Sequence, residues 1–460
     1  MSAWLYELSF GTFMKDFAAI GVLLIVATIL RRYVPFFQRF LVPNNIIAGF
    51  VGFFIANFHP PFIDFESERM GVYVYHLLSL TFIGAAMCKS RNMFSTGPMI
   101  TGIGLVFYYL LQGILGLLIT FFLIQTVTPD LFPAIGLLMP LAFGMGPGIS
   151  YSIAQNWQEY GFTDGGVTGL TLAAVGFLIA YIGGILIIKL GIKKGLATYI
   201  KNSLEIDTDV KRGLLSKDNR PIAGNMTTAL EAIEPLTFHF ALIGLAYSLT
   251  YGLLKLLSYV LTSLGAASEI NTIWSFHFIF SAIIAISLRN ILDRLNIGHL
   301  IDEGLMTRSA NLFMDFMITA SIIGISYRVV VEYALPIVVL SAAVGLMTYY
   351  IIKVTIPWMF KDHHFERFVS IFANATGTIQ ASLILLRILD PKAKSSAGMD
   401  LILGSGVALV FGFPLIALLN APMNFFDNEI IGYYYVLLAM VVYALVLLFA
   451  LKMFRKGSSS

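Results

Sequence analysis

Long apolar segments dominate this sequence, and they limit the folds that it can adopt. A membrane-crossing helix needs about 20 largely apolar residues, or about 17 at the short end. Eleven segments meet that requirement in our interpretation: 14–30, 44–58, 71–87, 98–126, 166–188, 236–262, 272–288, 309–327, 332–357, 399–420 and 429–452. Only 12% of the 460 residues are charged, against roughly a quarter in soluble domains. Because backbone in lipid must satisfy its own hydrogen bonds, we predict an all-α polytopic membrane protein.

Basic residues are unevenly distributed among the loops, and this distribution predicts the orientation. Lys and Arg accumulate in cytoplasmic loops. The loops rich in them contain Arg31, Arg32, Arg39, Lys89, Arg91, Lys189, Lys193, Lys194, Lys201, Lys211, Arg212, Lys217, Arg220, Lys452, Arg455 and Lys456. We expect a multi-pass protein of the bacterial plasma membrane, with its N-terminus outside and its central linker and C-terminus in the cytoplasm. The net charge of +3 gives no indication of a nucleic-acid partner, and the first apolar run is interpreted as a span, not a signal peptide.

Two further apolar segments, 133–156 and 368–386, are too broken or too short to count as spans. With the orientation above, the first enters and leaves from outside and the second from the cytoplasm. Each half then has five spans and one re-entrant hairpin, and an odd number of spans inverts the second half. Secondary transporters commonly use such inverted repeats, with binding near the midplane between interrupted helices.

The predicted organisation has four parts. They are a first repeat at 1–190 with an outside-facing hairpin near 133–158, a cytoplasmic linker at 191–232, a second repeat at 233–425 with a cytoplasm-facing hairpin near 366–390, and an additional C-terminal transmembrane helix with its tail at 426–460.

The stretch GMGPG at 144–148 indicates how a hairpin could bend inside the membrane. Interrupted backbone is tolerated at membrane depth where it is buried in protein or lines a wet cavity. Helix N-termini at the break would suit a carboxylate, and freed carbonyls would suit a cation such as sodium. The polar residues Asn374, Thr376, Thr378 and Gln380 lie within seven positions of the second segment. We interpret them as part of the site, although contacts between helices are the alternative.

Four stretches of the chain resemble the sodium/glutamate symporter family. They are VPNNIIAGFVGF at 42–53, TFIGAAMCKSRNMFSTG at 81–97, GMGPGISYSIAQNWQEYGFTDGG at 144–166 and ANATGTIQASL at 373–383. The resemblance extends to about Asn420. It implies sodium-coupled uptake of glutamate, a homodimer, and motion of a transport domain against a scaffold in an elevator-like cycle. Met145 and Pro147 stand where the family has His and Thr, so another small acidic solute remains an alternative.

The candidate residues gather at the two broken segments and in one apolar helix. For the solute we expect Gly146, Pro147, Gly148, Ser150, Asn374, Thr376, Gly377, Thr378 and Gln380. For sodium, the coupling ion, we expect Ser152, Asn311, Asp315, Asn374 and Thr376. No cofactor or other metal is expected.

Asp315 is an isolated acid in an apolar helix, with Asn311 one turn earlier on the same face. An ionisable residue inside a span is a functional hypothesis by default, although a structural ion pair is the alternative. Ser150 could equally bond back to helix carbonyls. Asp164 and Asp400 are expected to cap the helices that follow the two hairpins. His239 and His277 are interpreted as satisfied core histidines.

Two other classes of protein remain as alternatives. The Gly148-Ile149-Ser150 stretch has the glycine-x-serine form of intramembrane serine proteases, although this short pattern recurs by chance. A passive channel would also contain polar, interrupted helices. Neither a zinc-protease motif nor a phosphate-binding glycine-rich loop occurs in the sequence. We therefore expect a carrier and no enzyme activity.

Overall fold

The computed structural model describes residues 10–58, 65–88, 94–200, 208–217, 221–391 and 394–457. All regular secondary structure within these residues is helical, with no strand. The helices are α1 Phe10–Tyr33, α2 Pro35–Phe40, α3 Asn44–Phe58, α4 Ser67–Ala86, α5 Thr96–Thr126, α6 Pro147–Asn156, α7 Gly165–Leu178, α8 Gly184–Lys193, α9 Thr208–Arg212, α10 Pro235–Ser263, α11 Ile270–Ser275, α12 His277–Arg294, α13 Glu303–Ile323, α14 Tyr327–Glu332, α15 Ala334–Met359, α16 His364–Thr376, α17 Ile379–Leu389, α18 Ala397–Phe426 and α19 Ile430–Gly457. The predicted all-helical class is confirmed.

Seven helices among the described residues are long and apolar enough to cross a membrane. They are Thr12–Tyr33, Thr96–Thr126, Gly165–Lys193, Pro235–Ser263, Ala334–Met359, Ala397–Phe426 and Ile430–Arg455. The other four predicted spans are also helical, in α3, α4, α12 and α13. They fall short of the same criteria because α3 has 15 residues and the other three carry more polar side chains.

Helices of the first half of the chain pack against helices of the second half. Helices α3 and α4 pack on α13, and α4 also packs on α12. Helix α5 packs against α15, α18 and α19, so the additional C-terminal helix lies against both halves. Part of the predicted linker, 201–207 and 218–220, lies outside the described residues, as do Lys89 and Arg91.

Small residues allow these helices to approach closely. A methyl group at Gly102 of α5 would lie 2.5 Å from the carbonyl oxygen of Gly404 in α18. At the contact of α4 with α13, a methyl group at Gly84 would lie 2.9 Å from Cβ of Ala310. Close backbone approach through small residues is the usual way in which membrane helices associate.

Candidate functional site

The first broken segment is interrupted where its glycines and proline predict. One turn of π-helix, Pro140–Gly144, ends at a bend, and α6 begins at Pro147. Gly146 has a φ of 92° and a ψ of 175°, a combination that essentially only glycine adopts. Proline suits the first position of a helix because its missing N–H has no helical acceptor there. The resulting helix α6 has ten residues, about half the length of a span.

The two serines of α6 are both buried, but their hydroxyl groups differ. Ser150 Oγ lies 3.0 Å from the carbonyl oxygen of Pro147 and 3.2 Å from that of Gly169. This hydroxyl therefore bonds to backbone of its own helix and of α7. Ser152 Oγ is buried and has no hydrogen-bond partner among the described residues. A role in binding stays a prediction for both side chains.

The second broken segment is interrupted at Gly377 and Thr378. Helix α16 ends at Thr376, and Thr376 Oγ1 donates a hydrogen bond to the carbonyl oxygen of Phe372, 2.9 Å away. Thr378 Oγ1 accepts a hydrogen bond from the amide of Ala381 at 3.3 Å, so this threonine is the N-cap of α17. These two side chains shape the break through bonds within the segment.

The two breaks lie close together, next to α7. The π-helical turn of the first segment packs against α16 of the second. A methyl group at Gly176 of α7 would lie 2.6 Å from the carbonyl oxygen of Thr376 and 3.0 Å from the Phe143 ring. On α5, Gln112 donates one hydrogen bond of 2.8 Å to the carbonyl oxygen of Ala375. Backbone groups at the end of α16 therefore meet polar and small residues of the first half.

Asp315 on α13 keeps its carboxylate without a cationic partner. Its Oδ1 atom accepts a hydrogen bond of 2.8 Å from Nδ2 of Asn45, at the beginning of α3. Thr319 Oγ1 lies 2.9 Å from the backbone oxygen of Asp315 and 3.2 Å from that of Asn45. No Lys, Arg or His of the described residues forms an ion pair with Asp315. The carboxylate is partly buried, so it also reaches the surface of the chain.

Gln380, one of the predicted site residues, connects the helix of Asp315 to the second break. Gln380 lies in the first turn of α17, and its Nε2 donates a hydrogen bond of 3.4 Å to Oδ1 of Asn311. Asn311 and Asp315 are one turn apart on α13. The structure thus brings Asn311, Asp315 and Gln380 together, and no hydrogen bond connects them to Ser150 or Ser152. Asn374 is buried in α16.

Asn45 was not identified as a candidate from the sequence, and a π-helical turn was also missed. The turn, Ile179–Gly183, joins α7 to α8 inside a span that was predicted to be regular. Its Ala180 lies against Gly377, where an added methyl group would come within 2.8 Å of Cβ of Ala180. π-Helical turns are often found at functional sites. The Gly183-Gly184 pair is the one local signal in the sequence that could have indicated it.

The expectation that Asp164 and Asp400 cap helices is wrong, because their carboxylates bond to guanidinium groups instead. Asp164 is the N-cap residue of α7 by position, yet its side chain accepts hydrogen bonds from Nη2 of Arg328 at 3.0 and 3.2 Å. Asp400 lies one turn inside α18 and forms an ion pair of 2.8 Å with Arg367. In both cases a guanidinium group satisfies the carboxylate, so it makes no capping bond.

The two histidines of the protease alternative contact backbone groups. His239 Nε2 accepts a hydrogen bond of 2.8 Å from the amide of Asp302, and its Nδ1 lies 2.6 Å from the carbonyl oxygen of Pro235. His277 lies between the carbonyl oxygens of Tyr75 and Trp274, at 2.8 and 3.1 Å. Neither ring forms a hydrogen bond with Ser150.

Comparison with known proteins adds no relative to this description. No protein-family model matches the chain, and no curated protein matches it.

Proposed function

We propose that this protein is a sodium-coupled secondary transporter that imports glutamate or a similar small acidic solute across the bacterial plasma membrane by alternating access. The observation that carries the proposal is the contact between two interrupted segments, one from each half of the chain. The second of them also bonds, through Gln380 and Asn311, to the helix that carries the unpaired Asp315. Interrupted helices near the midplane of the membrane are the binding elements of many secondary transporters.

An inverted repeat would account for the pattern of helix contacts. If α3, α4, α5 and α7 of the first half correspond to α12, α13, α15 and α18 of the second, contacts should occur in exchanged pairs. The contact of α3 with α13 is then matched by that of α12 with α4, and the contact of α5 with α18 by that of α15 with α7. The contacts of α4 with α13 and of α5 with α15 map onto themselves. This correspondence supports two re-entrant hairpins that enter from opposite faces.

A cation would compensate the charge of Asp315. An unpaired carboxylate inside a membrane helix costs about 2.5–3.5 kcal/mol. Sodium takes oxygen ligands. Asp315 and Asn311 supply side-chain oxygens one turn apart on α13, and the backbone oxygen of Asn45 lies 3.2 Å from Thr319 Oγ1, one turn further along that helix. Ser152, Asn374 and Thr376 remain further candidates for sodium. The carboxylate therefore gives this site a preference for a cation over a neutral ligand.

The solute would bind at the ends of the broken helices. The N-termini of α6 and α17 carry partial positive charge from their unpaired amide groups, which favours an acidic solute. Gly146, Pro147 and Gly148 would place backbone beside the solute, and Gly377, Thr378 and Gln380 would do so from the other break. Motion of a transport domain that carries both breaks against a scaffold would make the cycle elevator-like, in a homodimer.

Uptake into proteoliposomes tests this proposal against its alternatives. An inward sodium gradient should drive labelled L-glutamate above its external concentration, and collapse of the gradient should abolish accumulation. Uptake that never exceeds equilibrium would indicate a passive channel. Accumulation of another organic anion, but not of glutamate, would support a sodium-coupled transporter with a different substrate. Peptide cleavage that is lost in Ser150→Ala would indicate a protease.

The variant Asp315→Asn tests the cation site directly. It should abolish sodium dependence, because a neutral amide removes the charge that the ion compensates. Asp130→Asn is the matched control, since Asp130 is exposed in the loop after α5. Normal sodium dependence of the folded Asp315→Asn protein would exclude Asp315 as the sodium ligand.

A further inference from the structure

Arg31 was predicted to be a loop residue that marks the cytoplasmic side, yet the structure buries it. It lies in the last turn of α1, where its side chain and backbone are 8% exposed, whereas the adjacent Arg32 is exposed. The predicted orientation of the protein in the membrane requires positive charge at the cytoplasmic end of a span, and exposed side chains such as Arg32 supply it. Burial of a guanidinium group therefore needs a separate explanation.

The hydrogen bonds of Arg31 leave its charge uncompensated. Nη2 donates to the carbonyl oxygen of Val210 at 2.9 Å, and Nε donates to that of Lys211 at 3.4 Å. Both acceptors are neutral backbone groups of α9 in the linker. No carboxylate among the described residues pairs with Arg31, and Nη1 makes no hydrogen bond to any of them. Arg31 thus keeps one donor, Nη1, without a partner among the described residues.

Tyr181 lies beside the second break, in a turn that belongs to the first half of the chain. Its ring is 3% exposed, and its hydroxyl makes no hydrogen bond to a described residue. This residue belongs to the π-helical turn that packs on α16 and α17, the two helices of the second broken segment. A phenol without a hydrogen-bond partner among the described residues therefore lies beside the second break.

Asn44 adds an unsatisfied acceptor to the same region. Its Nδ2 donates a hydrogen bond of 2.8 Å to Thr28, one turn before Arg31 on α1, and its Oδ1 is buried without a partner. The next residue, Asn45, donates a hydrogen bond to Asp315. Buried polar groups are normally hydrogen-bonded, so the Asn44 oxygen is a group in this region that a bound ligand would complete.

We propose that Arg31 binds a carboxylate of the carried solute, with Tyr181 as a second donor to it and the cation at Asp315 alongside. This inference rests on the proposed function and adds the residue that recognises the anion. A guanidinium group binds a carboxylate through two parallel hydrogen bonds, which the ammonium group of lysine cannot reproduce. An acidic solute and a cation that bind together would compensate both charges.

A merely structural role makes a different prediction. If Arg31 serves only to fasten α9 to α1, then replacing residues 208–217 by a Gly-Ser segment of equal length should have the same effect as replacing Arg31. If Arg31 binds the solute, the linker replacement should leave the apparent affinity for the solute near that of the wild type.

The test measures sodium-driven uptake of L-glutamate in proteoliposomes. Arg31→Gln should raise the KM for glutamate about tenfold or more, because a charge-assisted hydrogen bond is lost. Half-saturation by sodium should change far less. Arg31→Lys should fall between Arg31→Gln and the wild type, and Tyr181→Phe should raise the KM about threefold. Arg32→Gln is the matched control and should behave like the wild type.

The outcomes separate this inference from the proposed function. A wild-type protein that shows no sodium-driven accumulation would overturn the proposed function itself. Accumulation by the wild type with an unchanged KM in Arg31→Gln would overturn only the role of Arg31, as would a linker replacement that reproduces the Arg31→Gln effect. If Arg31→Gln does not fold, an unchanged KM in both Arg31→Lys and Tyr181→Phe would overturn it.

Discussion

At the scale of single residues, polar groups that lack a full set of partners mark the region around α13. Asp315 has Asn45 as its side-chain hydrogen-bond donor, and Asn44 keeps a buried oxygen without a partner. By contrast, the carboxylates of Asp164 and Asp400 are each paired with a guanidinium group. Asp315 and Asn44 are thus among the residues that an ion or solute would complete.

Asn45→Ala should weaken the sodium site and lower stability. Removal of the amide leaves the carboxylate of Asp315 without its donor, and an unsatisfied buried group costs about 1–3 kcal/mol. Thermal unfolding in detergent, with and without sodium, measures this effect. We expect a lower Tm without sodium and a higher sodium concentration for half-maximal stabilisation.

An equal loss of Tm at every sodium concentration would contradict this prediction, because it would place the effect of Asn45 in packing alone. Asn57→Ala is a suitable control. Asn57 also lies on α3, and it bonds to the backbone of Ile325 and Tyr327, outside the proposed site.

At the scale of elements, the local sequence predicted where the two broken segments are interrupted. Packing between distant parts of the chain determines the π-helical turn and the Asn45–Asp315 bond, which the local sequence did not predict. The breaks at Gly146 and Gly377 follow from residues that cannot continue a helix or that cap a new one. The π-helical turn around Tyr181 contains no proline, so nothing in its own composition requires the interruption. The Asn45–Asp315 bond joins residues 270 positions apart, a separation that helical periodicity cannot relate.

Gly176→Ala should destabilise the contact between α7 and the second break. The added methyl group would lie 2.6 Å from the carbonyl oxygen of Thr376, which is backbone and cannot rotate away. Overpacking of this kind costs about 1–3 kcal/mol. We expect a lower Tm in detergent and slower sodium-driven uptake.

Gly252→Ala is the matched control for this substitution. Gly252 lies in α10, where an added methyl group would meet nothing within 4 Å. Alanine is a better helix former than glycine by about 1 kcal/mol, so this variant should be at least as stable as the wild type. Equal stability of both variants would contradict the close contact at Gly176.

At the scale of the whole molecule, the two halves interlock and do not form separate domains. Helix α5 of the first half contacts α15 and α18 of the second, while α13 of the second half contacts α3 and α4 of the first. The predicted boundary at 191–232 therefore divides the sequence but not the packing. Each half would leave a large apolar surface uncovered without the other.

Cysteine labelling tests the opposite orientation of the two hairpins. In a Cys88→Ser background, Gln158→Cys lies at the exit of the first hairpin and Lys394→Cys at the exit of the second, and both positions are exposed. A membrane-impermeant maleimide should label Gln158→Cys in intact cells and Lys394→Cys only after permeabilisation. Labelling of both positions from one side would contradict the inverted repeat.

The contact between Gln380 and Asn311 has a consequence for turnover. Both groups are neutral amides, their separation is 3.4 Å, and Asn311 is exposed, so water can replace either partner at little cost in free energy. Under the proposed cycle, α17 shifts along α13 and this contact has to open and re-form each time. A weak hydrogen bond at that point, which water can replace, would hold neither end state long enough to limit the rate of transport.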